Sequence, residues 1–340
     1  MQYFVVSNIV TAVGLWLAYL WAGWAGFGIA VLLTIMEITL SFDNAVVNAV
    51  VLKNMSKKWQ DRFLTWGILI AVFGMRLLFP LAIVSFATGL SIVDVGHLAL
   101  NSPEEYSSHV LNSHIDIAAF GGMFLLMVFL HYFFDNEKDI HWLAVIEKQL
   151  VKVGKLESVE VILALSLLLT MQYWLAEADR AHAVTSGAIG VVLYVAITGL
   201  TTLMSGSHQA GNDAAKATAY SGFMGFMYLQ VLDASFSLDG VIGAFAMSKD
   251  VVIIMLGLGI GAMFVRSMTI YMVRKGTLDA YIYLEHGAHY GIGALAVIML
   301  FSMFVHVSEV ITGLIGVTFI GLSLLSSIQH NRKNGRVITG

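Results

Sequence analysis

The 340-residue sequence contains no cysteine. Disulfides and thiolate metal sites are therefore excluded, and soft-metal chemistry through sulfur would rest on methionine alone. Charge is also scarce. Asp, Glu, Lys and Arg make up 12% of the chain, where a soluble domain has about a quarter; apolar residues make up 58% and mean hydropathy is +0.82. No HExxH, GxSxG or similar catalytic signature is present, so an enzyme is not expected and no catalytic residue is assigned. The first apolar run has neither a basic n-region nor a small-residue cleavage site, and reads as a retained span rather than a signal peptide.

What is present is a series of apolar runs of membrane-crossing length. They predict ten spans, at 3–21, 25–52, 63–86, 115–134, 159–177, 183–204, 219–247, 250–273, 289–306 and 308–328. The expected fold class is an all-α polytopic membrane protein with the lipid bilayer as solvent. Lys and Arg set the orientation. With both termini cytoplasmic, inner segments hold fourteen of the eighteen basic residues: Lys53, Lys57, Lys58, Arg62, Lys138, Lys148, Lys152, Lys155, Lys216, Arg274, Lys275, Arg332, Lys333 and Arg336. Arg76 and Arg266 fall within spans. The long outer segment 87–114 has no Lys or Arg but carries Asp94, His97, Glu104, Glu105 and His109; it reads as a solvated loop or as an exit funnel for cations. The inner segment 135–158 reads as a solvated, partly helical connector without chemistry.

One pattern occurs twice. Glu37-Ile-Thr-Leu-Ser41-Phe-Asp43-Asn44 returns about two hundred residues on as Asp233-Ala-Ser-Phe-Ser237-Leu-Asp239-Gly240, each copy within an apolar run. Beyond the motif the halves keep matching: Arg76 with Arg266, Ser113-His114, Gly121 and Met127 with Glu285-His286, Gly293 and Met299, and Glu160-Val-Ile with Glu309-Val-Ile. The predicted units are 1–180 and 181–330, five spans each, followed by a cytoplasmic tail at 331–340. An odd number of spans inserts the second unit in the opposite sense, so the repeats are expected to be inverted. That is an architecture of secondary transporters, with the substrate site between the copies.

A carboxylate in hydrocarbon is costly and rarely lacks a task or a partner. On a regular helix Glu37, Ser41, Asn44 and Asn48 share one face, with Asp43 about 120° away from Glu37. Two readings follow. The helix is broken near Ser41–Asn44 and Ser237–Gly240, turning both acids of each copy into one cavity. Or the helix is regular, and Asp43 and Asp239 form structural pairs with Arg76 and Arg266. Glu37 and Asp233 are read as ligands because no further base in the spans is left to neutralise them. The candidate set is Glu37, Asp43, Asn44, Asp233 and Asp239, with Ser41, Ser237 and Asn48 as neutral oxygens. Such oxygens suit a hard or borderline divalent ion, Mn²⁺, Ca²⁺ or Mg²⁺, as substrate. Proton exchange is a natural coupling, since four carboxylates would otherwise hold the ion too firmly. His114 and His286, at matching positions, and His289 with Glu285 are candidates for gating, proton relay or ligation; the plainer reading is a histidine bonded at an interface. His131 reads as packed, His208 and Asp213 as solvated, and Glu160 and Glu309 as helix N-terminal acids.

The paired motif, together with Tyr283-Leu-Glu-His286-Gly-Ala-His289-Tyr-Gly-Ile-Gly293, resembles the TerC-type integral membrane proteins, in particular their long branch of unknown function. The resemblance spans both repeats. It implies membership of the lysine-exporter superfamily and an association with Mn²⁺ efflux, metal homeostasis and tellurite resistance. It carries the metal-site role to Glu37, Asp43, Asn44, Asp233 and Asp239. The chain departs from the usual pattern in its larger number of spans and in Gly240 where the first copy has Asn44. The function expected is export of a divalent cation, Mn²⁺ first and Ca²⁺ next, across a bacterial inner membrane. The alternatives are a non-transporting metal-homeostasis or tellurite-resistance partner, and an exporter of a small organic cation or amino acid. No organic cofactor and no nucleic acid are expected, and a homo-oligomer is compatible.

Overall fold

The structure, a computed structural model, describes residues 2–67, 69–135, 140–154, 156, 158–204, 222–305 and 307–333. Among the described residues every regular element is helical. This is the backbone solution that hydrocarbon demands, because each N–H and C=O must find a partner within its own segment. Among the described residues seven helices are long and apolar enough to cross a membrane, the pattern of a multi-pass membrane protein. Two shorter apolar stretches, Arg76–Ser85 and Val159–Trp174, accompany them.

The longest helix, α1 (Val5–Leu40), is a hairpin. At Ala22–Gly23 the backbone leaves helical geometry, with Gly23 at φ 61° and ψ −153°, a region that a side chain all but forbids. Contacts with α12 (Val251–Lys275) show the reversal. Ser7 bonds Ser267 and the carbonyl of Met263, Gly14 lies against Ile260, and the Trp21 indole donates to Asp250. Past the turn the partners climb again: Gly26 at Ile253, Thr34 bonded to the Gly257 carbonyl, and Glu37 at Gly261. Both arms thus pack on one helix through Gly, Ser and Thr, the small-residue contact that lets helices approach in lipid. The chain continues through α2 (Phe42–Lys53) and α3 (Lys57–Arg62), then through two π-helical stretches, Phe63–Gly67 and Ile70–Leu78, into α4 (Phe79–Thr88).

A second close pair forms the centre of the molecule. α7 (His114–Phe134) runs antiparallel to α13 (Leu284–Ser302): His114 meets Ser302, Gly121 meets Met299, Phe129 meets Gly293, and Tyr132 meets His286 and His289. Around it stand α9 (Val159–Met171), α10 (Glu177–Met204), α11 (Phe223–Met247) and α14 (Glu309–Lys333). α11 is the most enclosed of the long helices, whereas α1 and α14 leave most of their surface facing outward.

Two segments differ from their expected solvated state. The stretch 87–114 forms α5 (Ile92–Asn101) and α6 (Pro103–Asn112), which bury Val95, Tyr106 and Val110 against Leu81, Val84 and Phe245. Its acids serve local ends: the backbone N–H of Asp94 is capped by Ser91, and Glu104 pairs with Lys249 at 3.2 Å. The connector 135–158 carries α8 (Ala144–Val153), whose Glu147 is fully buried. Apolar positions on one face of each short helix are what draw these segments onto the bundle.

The α1–α12 contact is open to a simple test. A Cβ on Gly257 would stand 2.6 Å from the Leu33 Cβ and 3.0 Å from the Ala30 carbonyl, while one on Gly28 would meet nothing within 4 Å. Gly257→Val should cost about 1–3 kcal/mol by overpacking, read as a lower melting temperature in detergent. Gly28→Ala should leave the melting temperature at the wild-type value.

Candidate functional site

Glu37 lies in the last turn of α1 and is 1% exposed. Its Oε1 accepts from the Arg76 guanidinium and from Ser41 Oγ at 2.9 Å. Its Oε2 lies 3.1 Å from where a Cβ on Gly240 of α11 would stand, and its stem rests on Gly261 of α12. Arg76, also buried, comes from the π-helical stretch Ile70–Leu78. π turns are rare and gather at functional sites. The pairing corrects two expectations. The structural-pair reading gives Arg76 to Asp43, and the ligand reading leaves Glu37 without a base, whereas the structure pairs Arg76 with Glu37. The cause is the helical register: Glu37 and Ser41 share a face toward Arg76, while Asp43 points elsewhere.

Asp43 opens the first turn of α2 and is 3% exposed. Its Oδ1 accepts from the Asn44 backbone N–H at 2.9 Å. Its Oδ2 sits 3.2 Å from the positions that Cβ atoms on Gly291 of α13 and Gly316 of α14 would take. Two glycines thus hold open a notch for this carboxylate, and among the described residues no basic side chain reaches it.

Asp233 of α11 completes the meeting of the two motif copies. It accepts from Asn44 Nδ2 at 2.6 Å and from the Asn48 side chain, and it lies within electrostatic reach of Glu37 and Arg76. Both asparagine amides spend their donors on Asp233. The carbonyl oxygens of Asn44 and Asn48, and the hydroxyl of Ser237 one turn further along α11, are buried with no hydrogen-bond partner among the described residues. The helix break expected in both copies is present in one. At Ser41 (φ −100°, ψ 16°) α1 passes into α2 as a kink that keeps the bonds Ser41 N–H to Glu37 O and Ala45 N–H to Ser41 O. α11 runs unbroken through Ser237–Gly240.

Of the sequence-predicted set, Glu37, Ser41, Asn44, Asn48 and Asp233 therefore gather with Arg76, and Ser237 follows on the same face of α11. Asp43 faces α13 and α14 instead. The side chains of Asp239 and Glu309 lie outside the described residues, as do His208 and Asp213. Arg266 is half-buried on α12. Among the described residues no three His, Asp or Glu side chains are grouped so as to hold a metal ion by themselves.

The predicted relay residues divide between the two ends of the α7–α13 pair. His114 bonds Ser302 Oγ at 3.1 Å, beside a cavity of about 280 Å³ that Thr312 also lines. At the other end His286 contacts the Tyr132 hydroxyl at 3.3 Å and the Ile140 carbonyl at 2.8 Å, and His289 stacks on Tyr132 and bonds the Glu285 carbonyl. Sequence reasoning missed Glu147, whose carboxylate lies 3.4 Å from His141, 3.5 Å from His286 and 3.3 Å from the Tyr290 hydroxyl. Its signal was faint: one acid among several in a mixed-charge connector. His131, expected to be packed, is exposed and pairs with Glu160 at 3.4 Å, because its position on α7 faces α9 at the rim.

The buried pair predicts a mutant pattern. Arg76→Met leaves Glu37 uncompensated and should destabilise by about 3–5 kcal/mol, seen as a large fall in melting temperature. The double variant Glu37→Gln with Arg76→Met should recover most of that fall.

Two comparisons with known proteins return nothing: no curated protein and no solved structure matches the chain. A family model, described as Protein of unknown function (DUF475), matches residues 42–334, which takes in α2 with Asp43, Asn44 and Asn48, the whole second motif and the α7–α13 pair. On that match the chain belongs to the DUF475 family.

Proposed function

We propose that the protein is a secondary transporter that exports a divalent cation, Mn²⁺ first and Ca²⁺ next, through the Glu37–Asp233 cluster. The observation that carries the reading is the chemistry of that cluster. Two carboxylates from the two motif copies meet there, and three further buried oxygens, on Asn44, Asn48 and Ser237, have no donor within the described chain. Buried carboxylate, amide and hydroxyl oxygens with unused lone pairs suit a hard or borderline dication. Two carboxylates with neutral oxygens beside them match a dication's charge, and protein oxygens that replace only part of its water shell leave it free to depart.

Arg76 acts as the countercharge in this scheme. A dication reaching Glu37 competes with the guanidinium for the same oxygen, and its departure restores the pair. The architecture supports the reading as well. Counting both arms of α1 and the two shorter apolar stretches gives ten passes, five in each sequence repeat. The antiparallel α7–α13 seam reads nearly alike from either end, with Gly121 under Met299 and Gly293 under Phe129. Halves inverted in this way would hold a substrate site between them. The TerC resemblance points to the same cargo. The membrane is taken to be a bacterial inner membrane with both termini in the cytoplasm, and no chemical conversion of the cargo is part of the reading.

The test is metal flux in proteoliposomes. Glu37→Gln and Asp233→Asn should each lower Mn²⁺ transport at subsaturating metal by about tenfold or more, the loss of a charged ligand being worth at least ~1.4 kcal/mol. Wild-type flux in both variants, or no flux in the wild type above empty liposomes, overturns the proposal.

A further inference from the structure

We propose that Gln230 is a second contact for the transported cation, one step from the Glu37–Asp233 cluster toward the end of the bundle that carries Lys57, Lys58 and Arg62. This inference rests on the transport reading above.

Gln230 is 4% exposed, and neither its amide oxygen nor its amide nitrogen has a hydrogen-bond partner among the described residues. On α11 it precedes Asp233 by three residues and Ser237 by seven, so the three side chains line one face. Its Nε2 lies 2.9 Å from where a Cβ on Gly67 would stand, against the π-helical stretch Phe63–Gly67. The start of α11 marks the basic end: Phe223 and Phe226 pack on Trp59, which also carries the Arg62 guanidinium 4.5 Å above its ring. Gln230 lies along α11 between that end and Asp233, its amide buried.

A carboxamide with both ends unpaired inside a bundle costs stability, and native interiors hold few of them. Leucine fills a similar volume without that cost. The chemistry of the amide fits one ligand class. Its oxygen can replace a water on a hard dication, and its NH₂ can donate to a water the ion retains, so the cargo passing here is a partly hydrated divalent cation. A neutral ligand binds such an ion without trapping it, which suits a step on the way to two acids.

The experiment combines stability with transport in the full-length protein. Gln230→Leu should raise the melting temperature in detergent by about 2 °C or more, while raising KM for Mn²⁺ in proteoliposomes about tenfold with kcat within about twofold of wild type. Gln230→Glu should do the reverse to the kinetics, lowering KM and also lowering kcat by holding the ion. If the leucine variant does not accumulate, Gln230→Met, equal in length and unbranched, carries the same expectation. Asp233→Asn run in parallel separates the two claims. Lost flux in that variant with unchanged KM in the leucine variant overturns the role of Gln230 alone, as does a fall in melting temperature on removing the amide. Unchanged flux in both variants overturns the transport reading and this inference with it.

Discussion

A negative charge held away from water must be met by something, and the helices around Glu37 are arranged by that demand. Bringing one carboxylate into an apolar bundle costs several kcal/mol even after relaxation. Glu37 meets the cost with a guanidinium and a hydroxyl on one oxygen. Arg76 can reach it because the third helical segment is π-helical over Ile70–Leu78. The stem of Glu37 can lie so deep because Gly261 leaves room on α12. Asp233 meets its own cost differently, with two amide donors from α2. The two motif copies are thus tied together by polar bonds made within the chain itself.

The same logic explains the glycine pattern at the acids. Glu37 is flanked by Gly240 and Gly261, and Asp43 by Gly291 and Gly316, so four glycines on four helices give way to two carboxylates. Small residues serve twice in this bundle. Along α1 and α12 they bring helices close for dispersion contact. At the acids they keep side chains from filling the space that oxygen atoms occupy. A substitution at Gly316 and one at Gly257 would both crowd a helix pair, yet only the first would intrude on a charged group.

Much of the candidate site was legible in the sequence, for reasons that can be stated residue by residue. The spacing Glu37–Ser41–Asn44–Asn48 is a helical face, and that face survives in the structure across the kink at Ser41 because the backbone bonds on either side persist. The meeting of Asn44 with Asp233 followed from the repeat. What periodicity could not supply was partner choice. Spacing gives Arg76 to Asp43 and leaves Glu37 without a base, whereas in the structure Arg76 reaches Glu37 from the π-helical stretch Ile70–Leu78. Glu147 was illegible for another reason: its burial depends on α8 folding back onto Tyr290 and His286, a contact made across more than a hundred residues of chain. The helical, multi-pass character of the described residues was plain from hydropathy alone, and the turn at Gly23 falls in the gap between the first two expected spans, 3–21 and 25–52.

The difference between the two motif copies bears on how a site of this kind could work. In the first copy the helix kinks at Ser41 and its two acids diverge, Glu37 to Arg76 and Asp43 to the notch beside α13 and α14. In the second copy α11 stays straight, with Gly240 where the first has Asn44. Strict symmetry would put equal oxygen sets on both sides and a deep, symmetric well for any cation between them. The asymmetry instead gives one acid a basic neighbour and leaves the amide oxygens of Asn44 and Asn48 buried without donors among the described residues. For a moving ion that is the more useful arrangement. On the transport reading proposed above, binding would displace a guanidinium, which weakens the site, and the neutral oxygens would then supply coordination that adds no charge to be overcome on release.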